Sequence, residues 1–222
     1  MAAKRSSGWW VPASLIVSVS LGGCVSTRHP AVSEEGLPRV PASRFDAVYL
    51  AGDFDPSSFG RFSVEPCAVT FRDHWLRDQN RKRGPRDRVT TANMRQIEED
   101  MAARCRSVFA ERLETTVDGL EDGESALLSV RPAIVDLDVA APDILTPGRE
   151  RSYTTSAGSM TLVLELVEAS SGAVLGRVID RRSAADTGRV YQATSSSNMA
   201  EADRILRSWA SRLVELLTKA GE

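Results

Sequence analysis

From Ser159 to Arg182 the chain alternates apolar and polar residues with a period of two, interrupted once by Ala169-Ser170-Ser171-Gly172. Met160, Leu162, Leu164 and Leu166 share one parity, while Thr161, Val163, Glu165 and Val167 share the other. Beyond the turn, Val174 and Val178 alternate against Leu175 and Ile179. A period of two sends successive side chains to opposite faces of a sheet. A short polar turn ending in glycine folds two such runs back on each other. The pattern predicts an antiparallel hairpin with a strongly apolar face, and such a face must be covered by another layer.

Two amphipathic helices meet that need. Across Thr91 to Val117, Met94, Ile97, Met101, Cys105, Val108, Arg112/Leu113 and Val117 step by three and four residues and form one apolar stripe. Thr90 or Thr91 suits the N-cap and Gly119 suits the stop. Met94 and Met101 read as core filler. A second helix is expected to open at Asn198, with Glu201 three residues on as in a capping box. Its apolar face carries Ala202, Ile205, Leu206, Trp209, Leu213, Leu216 and Leu217. Each helix is expected to cover one sheet face.

Two further strands are expected. Arg61 to Phe71 alternates, and Pro66 within it argues for an edge or a bulge. In Ala126 to Val139, Leu128, Val130 and Ile134 mark one face and Val135, Leu137 and Val139 the other, with Pro132 again a bulge or edge signal. Phe45 to Ala51 is a short apolar piece. Arg72 to Arg88 is the most charged stretch and reads as a solvated loop, with a basic patch for anionic envelope groups as the alternative. The predicted order is β-α-β-β-β-α. The fold class is α+β, an antiparallel sheet of about four strands with two amphipathic helices.

The amino-terminal stretch has a different character. Lys4 and Arg5 precede Trp9 to Leu21, an apolar run without charge that closes on Leu21-Gly22-Gly23-Cys24. A positive head, an apolar run and small residues before a cut are the layout of a secretory signal, and the run is too short to span a bilayer. Leu-Gly-Gly-Cys resembles the lipobox of bacterial lipoproteins. The resemblance implies thioether lipidation of Cys24, cleavage before it and acylation of the new amino terminus. Several acyl chains anchor stably where one anchors only marginally. Val25, rather than Asp, follows the cysteine, which resembles the pattern for export to the outer membrane. Residues 1–23 are expected as signal peptide, 24–44 as lipidated Cys and flexible tether rich in proline, and 45–222 as one domain.

Removal of residues 1–23 from the 222 leaves 199, enough for one sizeable core. Net charge is −2 for the whole chain, and loss of Lys4 and Arg5 takes it to −4. That balance predicts no nucleic-acid partner. With Cys24 lipidated, Cys67 and Cys105 remain. In an oxidising compartment an even pair invites a disulfide, and two small buried hydrophobes are the equal alternative.

No nucleophile elbow, zinc-protease helix, paired CxxC, phosphate loop or dinucleotide fingerprint occurs. No cofactor or metal is expected. Asp73, His74 and Asp78 lack further ligands for a metal, and Asp136 with Asp138 reads as a solvent-facing strand end rather than an acidic dyad. One arrangement is a binding candidate. If the later strands form a meander, loops 140–158 and 184–197 share a sheet end. Arg149, Arg151 and Tyr153 lie in one and Arg189 and Tyr191 in the other. Arginine forks and flat tyrosine faces suit an anionic or sugar-bearing ligand.

Several segments resemble the DUF3313 lipoproteins, a family of unknown function. Phe59 to Phe71 followed by His74-Trp75-Leu76-Arg77-Asp78-Gln79-Asn80 is similar to its start. Arg131-Pro132-Ala133, Ala141-Pro142-Asp143 and Ser156-Ala157-Gly158-Ser159-Met160-Thr161-Leu162 are similar to its centre. The Gly172 turn, Ile179-Asp180-Arg181-Arg182 and Ala200-Glu201-Ala202-Asp203-Arg204-Ile205-Leu206 resemble its end. Ala169 and Ser171 depart from the acidic residue and threonine frequent there. The resemblance implies an envelope lipoprotein and brings no catalytic residues.

The expected function is a non-enzymatic binding or assembly module of the envelope, anchored in the outer membrane and facing the periplasm. Its expected partners are the membrane through the lipid and another envelope protein or anionic component. Two rivals make different demands. A carboxylate-dependent hydrolase requires a close, buried pair of perturbed carboxylates in a cleft. An accessory lipoprotein of a transport complex would expose an apolar patch on its sheet.

Overall fold

The structure, a computed structural model, describes residues 29–41, 44–81, 83–117, 126–140, 153–154, 158–183, 191–192 and 195–219. The anchor residue Cys24 lies outside them. The strands are β1 (Arg39–Val40), β2 (Ala47–Leu50), β3 (Phe59–Val64), β4 (Ala68–Phe71), β5 (Ala126–Val139), β6 (Tyr153–Thr154), β7 (Gly158–Glu168), β8 (Val174–Ser183) and β9 (Tyr191–Gln192). The helices are α1 (Trp75–Asn80), α2 (Thr91–Val117) and α3 (Ser195–Lys219).

The class is α+β, but the sheet is larger than expected and mixed. Its seven strands run β1-β2-β8-β7-β5-β3, with β4 also on β5. β5, β7 and β8 form the antiparallel meander and β2 extends it, whereas β3 and β4 both pair parallel to β5. The expected single strand 61–71 is therefore two, broken at Glu65-Pro66-Cys67 and sharing one edge of β5. Proline cannot donate to a ladder, and Pro66 stands between the two strands rather than within either. Phe45 to Ala51 contributes β2, and the hairpin turn at Gly172 carries φ +72°, which glycine adopts at no steric cost.

Strand β5 corrects a second expectation. Asp136 has φ +53°, and the register with β7 slips by one residue between Val135 and Asp138. This is a β-bulge. It rotates the strand, so Leu137 joins Leu128, Val130 and Ile134 in the core rather than facing away from them.

Both long helices lie on the same sheet face. Val108, Phe109 and Leu113 of α2 and Leu206, Trp209 and Leu213 of α3 form one buried cluster with Leu162, Leu164 and Leu166 of β7 and Val178 of β8. The expectation of one helix per face is thus overturned. The even parity of the hairpin is the more apolar, and it takes both helices. Cys67 and Cys105 are joined in a disulfide that ties the strand break to α2. Thr90 caps α2 reciprocally, its Oγ1 accepting from Asn93 N while Asn93 Oδ1 accepts from Thr90 N. Helix α3 begins at Ser195, three residues before the expected start, and Asn198 donates instead to Ala140 O at 2.7 Å.

The opposite face carries charge in rows. Glu65, Arg131 of β5, Glu165 of β7, Arg177 of β8 and Glu35 link in sequence, with Arg131 Nε 2.9 Å from Glu65 and its Nη1 3.2 Å from Glu165. Residues 29–38 cross this same face beside β2 and β8. Tyr49 donates from its hydroxyl to Pro30 O at 3.0 Å, Leu37 is buried with Ala47 and Tyr49, and Arg177 pairs with Glu35. Residues 29–41 were expected as part of a flexible tether. They are docked, because Leu37 and the pairing of β1 with β2 give them core and ladder of their own.

Candidate functional site

The carboxyl end of β5, the start of β7 and the end of β8 meet at one edge of the sheet, with Asp138 opposite Ser159 and Ser159 opposite Ser183. An open cleft of about 390 Å³ lies there, lined by Gln79 of α1, residues 138–140, Gly158, Ser159 and Ser183. Gly158 is obligatory in this geometry. Its φ is +122°, and a Cβ would stand 1.9 Å from Asp138 O.

The wall on the β5 side is built by a segment that reads from sequence as a solvated loop. Helix α1 buries Trp75, which stacks on Phe71 at 4.0 Å and donates from its indole to Val139 O at 2.8 Å. Arg72 bridges Asp78 and Asp138, each at 2.9 Å. Asp78 also meets Arg77 and Arg81, and these arginines, Arg72 first, hold its carboxyl below the ordinary aspartate range. Asn80 exchanges two hydrogen bonds with Val89. Within this stretch Arg72, Arg77 and Arg81 therefore share Asp78 as an ion-pair partner.

The two loops of the binding candidate do converge. Strands β6 and β9 pair antiparallel, Tyr153 opposite Gln192 and Thr154 opposite Tyr191. The backbone thus places Tyr153 and Tyr191 at adjoining register positions. Arg149, Arg151 and Arg189 lie outside the described residues.

Two acidic arrangements bear on catalysis. Asp136 is exposed and faces Arg181 at 3.9 Å, while Asp138 belongs to Arg72, so these two carboxylates do not form a dyad. Asp180 is wholly buried, yet it sits in a closed cage of donors rather than a cleft. Among the described residues no group of three His, Cys, Asp or Glu is placed to hold a metal ion. The residues that sequence reading missed here are Gln79 and Arg72, whose role depends on α1, and Asp180, whose partners beyond its own strand come from two distant segments. An isolated aspartate inside an apolar alternation is the one signal that marks Asp180 in advance.

Among the described residues Val32 alone is a large hydrophobic side chain that stands exposed, at 51%. No helix among the described residues is long and apolar enough to cross a membrane.

These features define a mixed-sheet α+β domain with a polar cleft at one sheet end. Residues 31–213 match the model of DUF3313, described as a protein of unknown function, and the chain belongs to that family. No curated protein matches it. Among solved structures it is similar to the PelC dodecamer from Paraburkholderia phytofirmans, at 12% identity over 72% of this chain and 96% of that one, with a TM-score of 0.35. It is also similar to a candidate lipoprotein from Caulobacter crescentus CB15, at 11% identity over 74% and 92% of the two chains, with a TM-score of 0.37.

Proposed function

We propose that this chain is a lipoprotein of the bacterial cell envelope, anchored through Cys24 in the outer membrane and facing the periplasm, whose domain is a non-enzymatic binding or assembly module. The observation that carries this is the use of its three cysteines. Cys67 and Cys105 are bonded to each other, as suits an oxidising compartment. Cys24 alone is left, directly after Leu21-Gly22-Gly23 at the end of a charge-free apolar run. The separated, arginine-paired positions of Asp136 and Asp138 favour binding over hydrolysis at the sheet end. The open polar cleft suits an anionic or sugar-bearing envelope component or a polar segment of another envelope protein.

The test is fractionation with intact-mass measurement. The native chain is expected in the membrane fraction, beginning at Cys24 and carrying acyl mass. Cys24→Ser is expected in the soluble fraction with no added mass. Membrane partition of an unmodified Cys24→Ser chain would defeat the anchor. For the module, the double substitution Arg151→Ala and Arg189→Ala is expected to weaken binding to envelope extracts, and unchanged binding would remove that site.

A further inference from the structure

If Cys24 holds the lipid, the distance from lipid to folded domain is short. Only residues 25–28 separate Cys24 from His29, and Pro30 is already bonded to Tyr49. Five residue steps reach at most about 17 Å when fully extended. A domain of this size has a radius of gyration of about 16 Å. The anchor therefore restricts which surface meets the bilayer, and that surface is where the segment 29–38 runs.

This segment lies on the sheet face opposite α2 and α3. Tyr49 and Arg177, the two side chains that hold it, alternate with Val48 and Val178, which belong to the helix-side core. Val32, the exposed large hydrophobic, stands in the same segment. The face beside it carries Glu65, Arg131, Glu165, Arg177, Asp136 and Arg181 in pairs of opposite sign. Paired charges of both signs complement a zwitterionic headgroup layer, whereas a uniformly basic surface would be needed for strong attraction to anionic lipid.

We propose that the sheet face opposite the helices is the membrane-facing surface, held against phospholipid headgroups by the docked segment 29–38, with α2 and α3 turned away from the bilayer. The inference rests on the lipid anchor at Cys24. It leaves the outer side of the helix pair and the cleft at the sheet end, rather than the open sheet face, available to partners.

The experiment uses the full-length lipidated chain in vesicles of phosphatidylethanolamine with a minority of phosphatidylglycerol. With Cys24 lipidated and Cys67 bonded to Cys105, an introduced cysteine is the unique free thiol. Fluorophores are placed on Thr161→Cys in β7, on Glu34→Cys in the docked segment and on Ser107→Cys on the exposed side of α2. A quencher is carried on the lipid headgroups. Quenching at 161 and 34 is expected to exceed that at 107 by at least about threefold, given a reach of only ~17 Å. Inserting a long Gly-Ser segment between Thr27 and Arg28 is expected to bring the ratio toward one while flotation with vesicles persists. Equal quenching at all three positions in a native chain that floats with the vesicles overturns the face assignment and leaves the anchor standing. Stronger quenching at 107 does the same. An unchanged ratio after tether lengthening overturns the role given to the short reach. A native chain that fails to float with the vesicles overturns the anchor and the proposal together.

Discussion

The indole Nε1 of Trp209 donates to Asp180 Oδ2 at 2.7 Å, and neither side chain has solvent-exposed surface. Asp180 also accepts from Asp46 N at 3.0 Å and from Arg182 Nε at 2.6 Å, and Arg212 lies 3.6 Å away. One carboxylate thus fastens β8 to β2 and to α3. A buried charge is tolerated only with such satisfaction, and removing one partner strands the others. Asp180→Ala is expected to lower unfolding free energy by about 3–5 kcal/mol. Asp180→Asn, which keeps part of the hydrogen bonding, is expected to cost about 1–3 kcal/mol. Urea denaturation of the three proteins checks the order.

The Cys67–Cys105 bond closes a loop of 38 residues. Chain-entropy arithmetic for such a loop is worth about 4 kcal/mol, acting mainly on the unfolded state. Reduction, or the double Cys67→Ser and Cys105→Ser variant, is expected to lower stability by roughly that amount. The same denaturation experiment, run with and without reductant, measures it.

Gly158 and Gly172 both have positive φ, but their surroundings differ. An added Cβ at 172 meets nothing within 4 Å, whereas at 158 it meets Asp138 O at 1.9 Å. Gly172→Ala is expected to cost only about 1–2 kcal/mol for the left-handed backbone. Gly158→Ala adds a backbone clash that must spread the β5–β7 ladder, so the expected loss exceeds about 3 kcal/mol. Amide exchange should quicken around Asp138 and Ser159 in the second variant and not in the first.

Acid should destabilise the domain on both sides of the sheet. The hydrogen bond from Arg104 on α2, aided by Arg207, holds the Asp203 carboxyl below its ordinary value, and Arg131 with Ser129 does the same for Glu65. A carboxylate depressed in the folded state contributes stability above its ordinary pKa and loses it as pH falls through the folded value. Stability is expected to decline as pH falls below the ordinary carboxylate range and on through the lowered folded-state values. Asp203→Asn should flatten that decline, as read from urea midpoints against pH.

The site was partly legible before folding. Adjacent strands of a meander return to the same end, so loops 140–158 and 184–197 were expected together, and β6 with β9 joins them there. The cleft wall was not legible. Trp75 and Arg72 sit in a stretch whose charges dominate its periodicity, and only the backbone of Val139 and the carboxylate of Asp138 reveal why α1 folds there.

The extent of α2, the β7–β8 hairpin and its turn, and the division of each into apolar and polar sides follow from local residue order. These depend on spacing between neighbours, and the period is written locally. Tertiary structure decided the parallel seating of β3 and β4 on β5, the bulge at Asp136 that turns Leu137 inward, the stacking of both helices on one face and the docking of residues 29–41. Each of these is a choice among partners distant in the chain, settled by which assembly buries apolar surface while leaving no polar group such as Asp180 unpaired.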